Sequence, residues 1–585
     1  MTVLVVGGGI TGLASAYALG RAGIPTLLVE GSRRLGGKVR TETADGFVIE
    51  HGPDSFVSYR PAAVQLCREL GLGDAVVRPQ EPRIVFIRSG GRFRRFPDGM
   101  GLVLPTKLRP FMTSDLFSPL AKLRMGLDLL LPRDTTEGDV AVGPFLRRRL
   151  GSALVDRLAG PLIGGVYGTP IDELSLDAVV PQLRESERAH RSLLLATLAD
   201  VRARKRVAAA RGSVENGAAP SPFVTLAGGT QQLVDALVAA LRAMPHVGIR
   251  TECLLEGLEF DGPRVRLRIC GGERMAPEAT ILATPAPVTA DLLEPGAAEA
   301  ARHIRSIPQG ATAVVNLAYC DDQLPDDLVG HGFLVAGDEP MTISAATLSS
   351  RKWADRAPDG TLLVRAFIGD GRSGAHALSD DQLARAAHID VTGALGIRGE
   401  PLLTRVSRYP AAMPHYTVGH LARVAAAEAA LAAFPALRIA GGAYRGVGLP
   451  DCIAQGRAAA EAVTTVLSEG AVAVAGATAA TGADGEVGVA EAIGRPAPAQ
   501  RGLTLDALPV GRAARVVSIA GEHDADLALE GLLPGTAVAV ASRSPLGGPL
   551  VVGIGRARIA VARSVASAVA VTMEPPTDAA VEIVG

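Results

Sequence analysis

The N-terminal thirty residues place the strongest constraint on the fold of this chain. A short apolar strand, Val3–Val6, runs into a turn with the sequence Gly7-Gly8-Gly9-Ile10-Thr11-Gly12, and a helix of small residues follows to Gly20. A second strand, Thr26–Val29, ends at Glu30. This order predicts a Rossmann-like unit of strand, helix and strand that binds a dinucleotide.

Each part of this unit has a predicted role. Gly7 permits the tight turn, Gly9 lets the backbone approach a pyrophosphate, and Gly12 lets helix and strand pack closely. The free N–H groups at the helix N-terminus would face the phosphates. Glu30 falls near the spacing of about 20 residues at which a carboxylate bonds the ribose.

A second glycine turn narrows the choice of dinucleotide. The run Arg34-Leu35-Gly36-Gly37-Lys38 leads into a hairpin that turns at Asp45-Gly46, and Gly52-Pro53-Asp54-Ser55 follows. This arrangement resembles the flavin amine-oxidase superfamily, whose second turn lies along the diphosphate of FAD. The resemblance implies non-covalent FAD. The cofactor residues that we expect are Gly7, Gly8, Gly9, Ile10, Thr11, Gly12, Glu30, Gly31, Gly37, Lys38, Gly52, Pro53, Asp54, Ser55, Leu255, Val447, Gly448 and Leu449.

Composition excludes several classes of protein. The chain has 585 residues, 48% of them hydrophobic and 20% charged, with a net charge of −1, so no nucleic-acid partner is indicated. The five cysteines have no metal-ligand spacing and predict neither a disulfide framework nor a metal site. Because no apolar run is long enough to span a membrane, we expect a cytoplasmic protein. The interleaved basic and apolar residues of 101–131 leave peripheral contact with the inner face of the membrane as an alternative.

The fold class that we predict is α/β with a separate C-terminal β unit. An FAD-binding domain would comprise residues 1–80, 221–300 and 405–467, with a mostly helical substrate or membrane-facing insertion at 81–220 and a β-rich substrate lobe at 301–404. Residues 202–222 are expected to form an exposed loop. Residues 468–500, rich in Ala, Gly and Thr, are expected to form a linker to a short-strand unit at 501–573.

Several further motifs carry a more specific resemblance. Leu162-Ile163-Gly164-Gly165-Val166-Tyr167, Met413-Pro414-His415-Tyr416 and Gly446-Val447-Gly448-Leu449-Pro450-Asp451 are similar to the porphyrinogen oxidases, especially those of Gram-positive bacteria. The resemblance implies O₂-dependent six-electron oxidation of coproporphyrinogen III with release of H₂O₂, with protoporphyrinogen IX as the alternative substrate. It also implies that Arg83 binds a propionate and that Leu334 and Phe367 sandwich the macrocycle. No acid/base side chain is expected, because the flavin accepts the hydride.

The C-terminal unit resembles a different family. Residues 503–571, with the turn Gly531-Leu532-Leu533-Pro534-Gly535, are similar to the SH3-like barrel of ferrous iron transport protein A. This resemblance implies association with a haem-pathway or iron-handling protein. Two other function classes stay open, namely another flavin amine oxidase or desaturase and a non-catalytic flavoprotein adaptor.

Overall fold

The computed structural model describes residues 2–101, 103–210, 221–369 and 377–481, and in the C-terminal part residues 503–508, 512–519, 536–543, 550–554, 557–561, 566 and 569–573. The chain divides into two compact units, Met1–Gly482 and Ala483–Gly585. The turn Gly531–Gly535 lies outside the described residues.

The strands of the first unit are β1 (Val3–Val6), β2 (Thr26–Val29), β3 (Thr41–Ala44), β4 (Phe47–Glu50), β5 (Phe56–Val57), β6 (Val76–Val77), β7 (Phe86–Ser89), β8 (Arg92–Arg95), β9 (Phe223–Leu226), β10 (Val247–Arg250), β11 (Leu255–Asp261), β12 (Arg264–Ile269), β13 (Glu273–Met275), β14 (Ala279–Leu282), β15 (Gln309–Cys320), β16 (Gly332–Val335), β17 (Ala345–Leu348), β18 (Thr361–Gly369), β19 (Leu403–Pro414) and β20 (Leu437–Ile439).

The helices of the first unit are Ile10–Arg21, Pro61–Glu69, Leu108–Thr113, Pro119–Gly126, Val142–Leu150, Ser152–Leu154, Gly165–Tyr167, Leu176–Val179, Pro181–His190, Leu193–Ala210, Gln231–Arg242, Ala286–Leu293, Ala298–Arg305, Ser349–Lys352, Asp380–Leu395, His420–Ala430 and Leu449–Thr481, with a π-helix at Val155–Gly164 and 3₁₀ turns at Leu127–Leu129, Asp321–Gln323 and Leu431–Ala433.

A five-stranded parallel sheet carries the predicted nucleotide-binding unit. Its strand order is β10-β2-β1-β14-β20, and the strands are short and apolar because both faces are covered. The helix Ile10–Arg21 is buried along most of its length. The helix Leu449–Thr481 packs on it closely enough that a Cβ at Gly456 would lie 2.4 Å from Thr11 O.

A seven-stranded sheet forms the second layer, with the order β19-β15-β18-β17-β16-β7-β8. One of its faces is covered by Asp380–Leu395, a helix that begins with a capping box at Ser379. The opposite face meets the β3–β4 hairpin and the residues that follow it. The helices of 108–210 build a separate apolar core that also contacts this sheet.

Four boundaries differ from the sequence prediction. Strands β7 and β8 of the predicted helical insertion belong to the large sheet, and β19 extends that sheet to Pro414, past the expected limit of 404. The helix Leu193–Ala210 covers the first part of the loop expected at 202–222, and residues 211–220 lie outside the described residues. The final helix continues to Thr481, so the predicted linker start at 468 is wrong. Residues 482–502 are not described.

The prediction that no disulfide is present is also wrong. Cys253 and Cys270 are joined by a disulfide across the β11–β12 hairpin, with their Cα atoms 4.7 Å apart. The chain folds these residues together because antiparallel pairing brings Leu255 opposite Ile269. Cys67, Cys320 and Cys452 are free thiols.

The described residues of the second unit form six antiparallel strands, β21 (Leu503–Thr504), β22 (Ala513–Ile519), β23 (Ala537–Arg543), β24 (Leu550–Ile554), β25 (Ala557–Val561) and β26 (Val569–Met573). Their order in the sheet is β21-β26-β22-β23-β24-β25. Apolar side chains from these strands form one core, which includes Val516, Val540 and Val552. The described strands therefore form a β unit, in line with the short-strand unit predicted at 501–573.

Candidate functional site

The first glycine turn has the close contacts that its sequence predicts. Gly7 has a φ of +102°, and a Cβ there would lie 2.8 Å from Ala283 O. A Cβ at Gly12 would lie 1.9 Å from Gly7 O, so only glycine lets the helix lie against β1. A Cβ at Gly9 would meet nothing within 4 Å. Open space therefore lies over the N-terminus of the helix, where the first N–H groups have no acceptor within the helix.

The second glycine turn lies directly against the first. Gly36 N donates to Gly8 O at 2.7 Å, and a Cβ at Gly37 would lie 3.1 Å from Gly9 Cα. Lys38 follows this turn, and partial desolvation by the surrounding protein lowers the pKa of its ammonium group. The two turns and this cation together suit a pyrophosphate group, which carries negative charge.

Glu30 lies at the end of β2, where its carboxylate faces the first turn. One oxygen accepts from Gly8 N at 2.7 Å, and the other accepts from Ser32 N at 2.9 Å and from Ser32 Oγ at 2.7 Å. Glu30 O also accepts from Cys253 N, which places the start of β11 and Leu255 beside this loop. The protein thus fixes the Glu30 carboxylate at the edge of the turn.

The segment before the final helix is fixed by a tyrosine that the sequence analysis did not single out. Tyr416 Oη donates to Gly442 O at 2.8 Å and accepts from Gly446 N at 2.6 Å. Burial raises the pKa of this phenol, so Tyr416 remains protonated. These two bonds orient Val447 and Gly448, whose main chain precedes the helix that begins at Leu449.

His420 supports this tyrosine from behind. The two rings stack with centroids 3.8 Å apart, and His420 Nε2 bonds to Tyr444 O at 2.8 Å, a contact in which the imidazole N–H donates. Burial lowers the pKa of His420 to about 4, so the ring is neutral at pH 7. The histidine therefore serves packing.

Asp54 is a buried ionic centre between the cofactor segment and the large sheet. Its carboxylate lies 3.2 Å from Lys352 Nζ and 3.4 Å from Arg365 Nη1, and it accepts a bond from Trp353 Nε1 at 3.4 Å. Burial alone would raise the pKa of Asp54, but Lys352 and Arg365 outweigh that effect and hold it well below its usual range. We expected Asp54 to bind the cofactor, whereas these contacts direct its carboxylate to protein partners.

Neighbouring polar groups also join the cofactor segment to the large sheet. Thr230 N donates to Glu50 Oε1 at 2.7 Å, and Asn316 Nδ2 donates to Glu50 O at 3.2 Å. His51 bonds Ser407 Oγ at 2.7 Å and Glu42 at 2.9 Å. The hairpin and the Gly52–Ser55 segment are therefore attached to the sheet by several buried polar contacts, each of which requires its partner.

Leu334 and Phe367 lie in one row across the large sheet. Leu334 pairs directly with Ala345, and Ala345 pairs directly with Phe367, so all three side chains share one face. Their outer members are two strand spacings apart, roughly 10 Å. Ala345, between them, contributes only a methyl group, and we call this row of three residues the Ala345 slot.

The Ala345 slot and the segment held by Tyr416 contact the same apolar core. Leu334, Val447 and Tyr167 all pack on the core of the helical part, which includes Ile163. Arg83 lies three residues before β7, with an exposed side chain, and its N–H donates to Glu81 Oε2 at 2.9 Å. Its charge and that of Lys352 add to the effect of burial in lowering the pKa of His331.

These features define the class of protein. Two stacked glycine turns, a helix N-terminus and an adjoining lysine fit the phosphates of a dinucleotide, and an apolar face of the large sheet carries Leu334 and Phe367. Residues 10–464 match the flavin-containing amine oxidoreductase family, and the chain belongs to this family. It is an FAD-containing oxidoreductase. Residues 503–573 match the FeoA domain.

Several similar proteins have more specific names. The chain is 44% identical to the coproporphyrinogen III oxidase of Propionibacterium freudenreichii subsp. freudenreichii, over 79% of this chain and 90% of that protein. It is 33% identical to the coproporphyrinogen III oxidase of Bacillus subtilis (strain 168), over 80% and 98%. A crystal structure of a candidate protoporphyrinogen oxidase from Exiguobacterium sp. 255-15 superposes with a TM-score of 0.68 at 33% identity, covering 79% of this chain and 98% of that one.

Within the described ranges, none of the helices is both long and apolar enough to cross a bilayer. In the same part of the chain, no three or more His, Cys, Asp or Glu side chains are grouped to hold a metal ion.

Proposed function

We propose that this enzyme oxidises coproporphyrinogen III to coproporphyrin III in haem biosynthesis. The reaction removes six hydrogen atoms from the substrate and converts three O₂ to three H₂O₂. The names of the similar proteins from Propionibacterium and Bacillus support this substrate. Protoporphyrinogen IX is the alternative, supported by the Exiguobacterium relative.

The Ala345 slot is the observation that carries this proposal. The strands that carry Leu334 and Phe367 are roughly 10 Å apart, a separation that suits one flat pyrrole ring at van der Waals contact of about 3.5–4 Å with each side chain. Both walls are apolar, which suits a macrocycle, and the Ala345 floor lets the ring approach the sheet.

The remaining groups position the substrate and the cofactor. FAD, when bound, supplies a hydride acceptor at N5 and is reoxidised by O₂. The stacked glycine turns and Lys38 hold its phosphates, and the main chain at Val447–Leu449 offers N–H groups and a helix N-terminus to the pyrimidine edge, where they favour negative charge. Arg83 pairs with a propionate at the open end of the slot.

The test is aerobic turnover by the purified protein with each porphyrinogen separately. We expect the protein to be yellow, to form coproporphyrin III faster than protoporphyrin IX, and to release three H₂O₂ per porphyrin. A faster reaction with protoporphyrinogen IX would select the alternative substrate. H₂O₂ release with an amine but neither porphyrinogen would contradict the proposal, and a flavin-free protein would favour a non-catalytic role.

We also propose peripheral contact with the inner face of the membrane by a cytoplasmic enzyme. Apolar side chains of the two helices at 108–126 and of the turn after them are exposed together, among them Leu108, Leu120 (78% exposed), Leu123 and Leu130, while Lys107 and Arg109 supply positive charge nearby. The double variant L120D/L123D should lose binding to vesicles that contain anionic lipid. The control L402D, at an exposed leucine elsewhere, should bind as the unaltered protein does.

For the FeoA domain we propose an SH3-like barrel that binds a haem-pathway or iron-handling protein. The antiparallel strand order and the single apolar core support this shape. Pull-downs from the cell extract with the full chain and with a chain ending at Gly482 test it. The same proteins recovered with both chains, with or without ferrous iron, would contradict the proposal.

A further inference from the structure

Arg365 connects the cofactor segment with one wall of the Ala345 slot. It lies on β18, its side chain is only 3% exposed, and its guanidinium donates to Gly52 O and lies 3.4 Å from Asp54 Oδ1. The same guanidinium lies over the ring of Phe367, with Cζ 4.7 Å from the ring centroid. Arg365 and Phe367 are two residues apart on one strand and therefore share a face.

We propose that Arg365 is a positioning residue for the oxidation. It holds the Phe367 ring in a fixed place relative to Gly52 and Asp54, and thereby holds the substrate ring relative to the cofactor. This inference rests on the proposed function, because Phe367 matters here only as a wall of the slot. Hydride transfer is sensitive to displacements of about 1 Å, so a loosened wall slows turnover.

The chemistry of the side chain explains why arginine is required. The guanidinium is planar and rigid, so one face covers an aromatic ring while the N–H groups at its edge bond a carbonyl and a carboxylate. A lysine ammonium carries the same charge but cannot present a flat face and a fork of donors together. The variant R365K therefore removes the link to Phe367 and keeps positive charge beside Asp54.

We expect R365K to fold, because Asp54 keeps its other partners. Lys352 and Trp353 remain as partners of its carboxylate, at 3.2 and 3.4 Å. Trp353 is the single tryptophan of the chain. Its emission therefore reports the state of the Asp54 centre without any turnover.

The experiment is a double-mutant cycle of R365K and F367L in the full-length holoenzyme. We expect either single change to lower kcat/KM for coproporphyrinogen III by about tenfold and to weaken coproporphyrin III binding. We expect the double variant to be no worse than the singles within about threefold, because both changes disrupt one wall. In R365K the dissociation constant of FAD should stay within about threefold of the value for the unaltered protein. The Trp353 emission should not shift.

A matched control uses Arg356, a second buried arginine between the cofactor segment and the large sheet. Arg356 bonds Leu226 O at 2.9 Å and lies 3.9 Å from Glu50, so it joins the same two parts of the protein through other partners. The effects of R356K and F367L on kcat/KM should therefore multiply.

Three outcomes would overturn the proposal. Multiplying effects of R365K and F367L would show that Arg365 does not act through Phe367. Loss of FAD together with a shifted Trp353 emission in R365K would show that Arg365 holds the cofactor segment and has no role in placing Phe367. If the unaltered holoenzyme neither oxidises coproporphyrinogen III nor binds coproporphyrin III, the proposed function fails and this inference fails with it.

Discussion

At the scale of single residues, Gly9 gives the sharpest test of the cofactor site. Because a Cβ there meets nothing within 4 Å, G9D should fold, but its carboxylate would occupy the space of the pyrophosphate and repel it. We expect the purified variant to be colourless with a far-UV circular dichroism spectrum like that of the unaltered protein. G165D changes another glycine with open space around it and should stay yellow. Full flavin content in G9D would contradict the assignment.

Arg83 tests how substrate charge is recognised. If it pairs with a propionate, R83A should raise KM roughly ten- to hundredfold, the effect of losing a charge-assisted bond of about 1.5–3 kcal/mol, with flavin content unchanged. Coproporphyrinogen has four propionates and protoporphyrinogen has two, so steady-state kinetics should be measured with both. R92A, at an exposed arginine of β8, is the control. An unchanged KM for both substrates would make Arg83 an ordinary surface residue.

His420 predicts a pH dependence of stability. Its folded-state pKa of about 4 lies below the ordinary 6.5, so the unfolded chain binds a proton that the folded protein does not between these values. The free energy of unfolding should therefore fall by about 3 kcal/mol from this residue as pH drops from 6.5 to 4. Denaturation midpoints of H420N should fall less steeply over this range than those of the unaltered protein. H190N, at an exposed histidine, should follow the unaltered protein.

Glycines were the residues whose placement the sequence predicted best. A glycine whose Cβ would strike a neighbouring carbonyl is part of a short local pattern, and Gly7 and Gly12 can be read from that pattern alone. Asp54 could not be read in this way. Its motif is local, but Lys352, Trp353 and Arg365 reach it from about 300 residues further along the chain. Tyr416 stood in a quoted motif, yet its bond to Gly446 depends on folding.

At the scale of secondary-structure elements, the β11–β12 hairpin gives a countable prediction. With Cys253 and Cys270 joined, denatured protein without reductant should expose three reactive thiols, and five after reduction. The double variant C253S/C270S should lose up to about 3 kcal/mol of stability, the effect of opening a loop with a sequence separation of 17. Thiol titration and the Tm of the variant are the measurements. Five thiols without reductant would contradict the disulfide.

Element boundaries show where local sequence is insufficient. Alanine-rich residues after Leu467 lack large apolar side chains, which favoured a linker, but alanine also has the highest helix propensity and the helix continues to Thr481. Strands β7 and β8 lie in the segment 81–220, which the sequence predicts to be mostly helical. β7 pairs with β16 and with β8, and the pairing with β16 depends on the tertiary structure.

At the scale of the whole molecule, the division into two units predicts the effect of truncation. A chain ending at Gly482 keeps the first unit complete, so it should bind FAD and oxidise coproporphyrinogen III at close to the full-length rate. A chain ending at Leu467 would remove fourteen residues of the final helix and should be less stable. Flavin content, turnover and Tm of both chains are the measurements. Loss of turnover after truncation at Gly482 would place the FeoA domain in the catalytic unit.

The sequence by itself determined the nucleotide-binding turn, the flavin family and the presence of a separate β unit, because each depends on contacts between residues near one another in the chain or on motifs that are recognisable in order. Tertiary structure alone decided the Asp54 centre, the Ala345 slot and the pairing of Cys253 with Cys270. The register of three neighbouring strands, β16, β17 and β18, brings Leu334, Ala345 and Phe367 into one row, and no local pattern encodes which strands become neighbours.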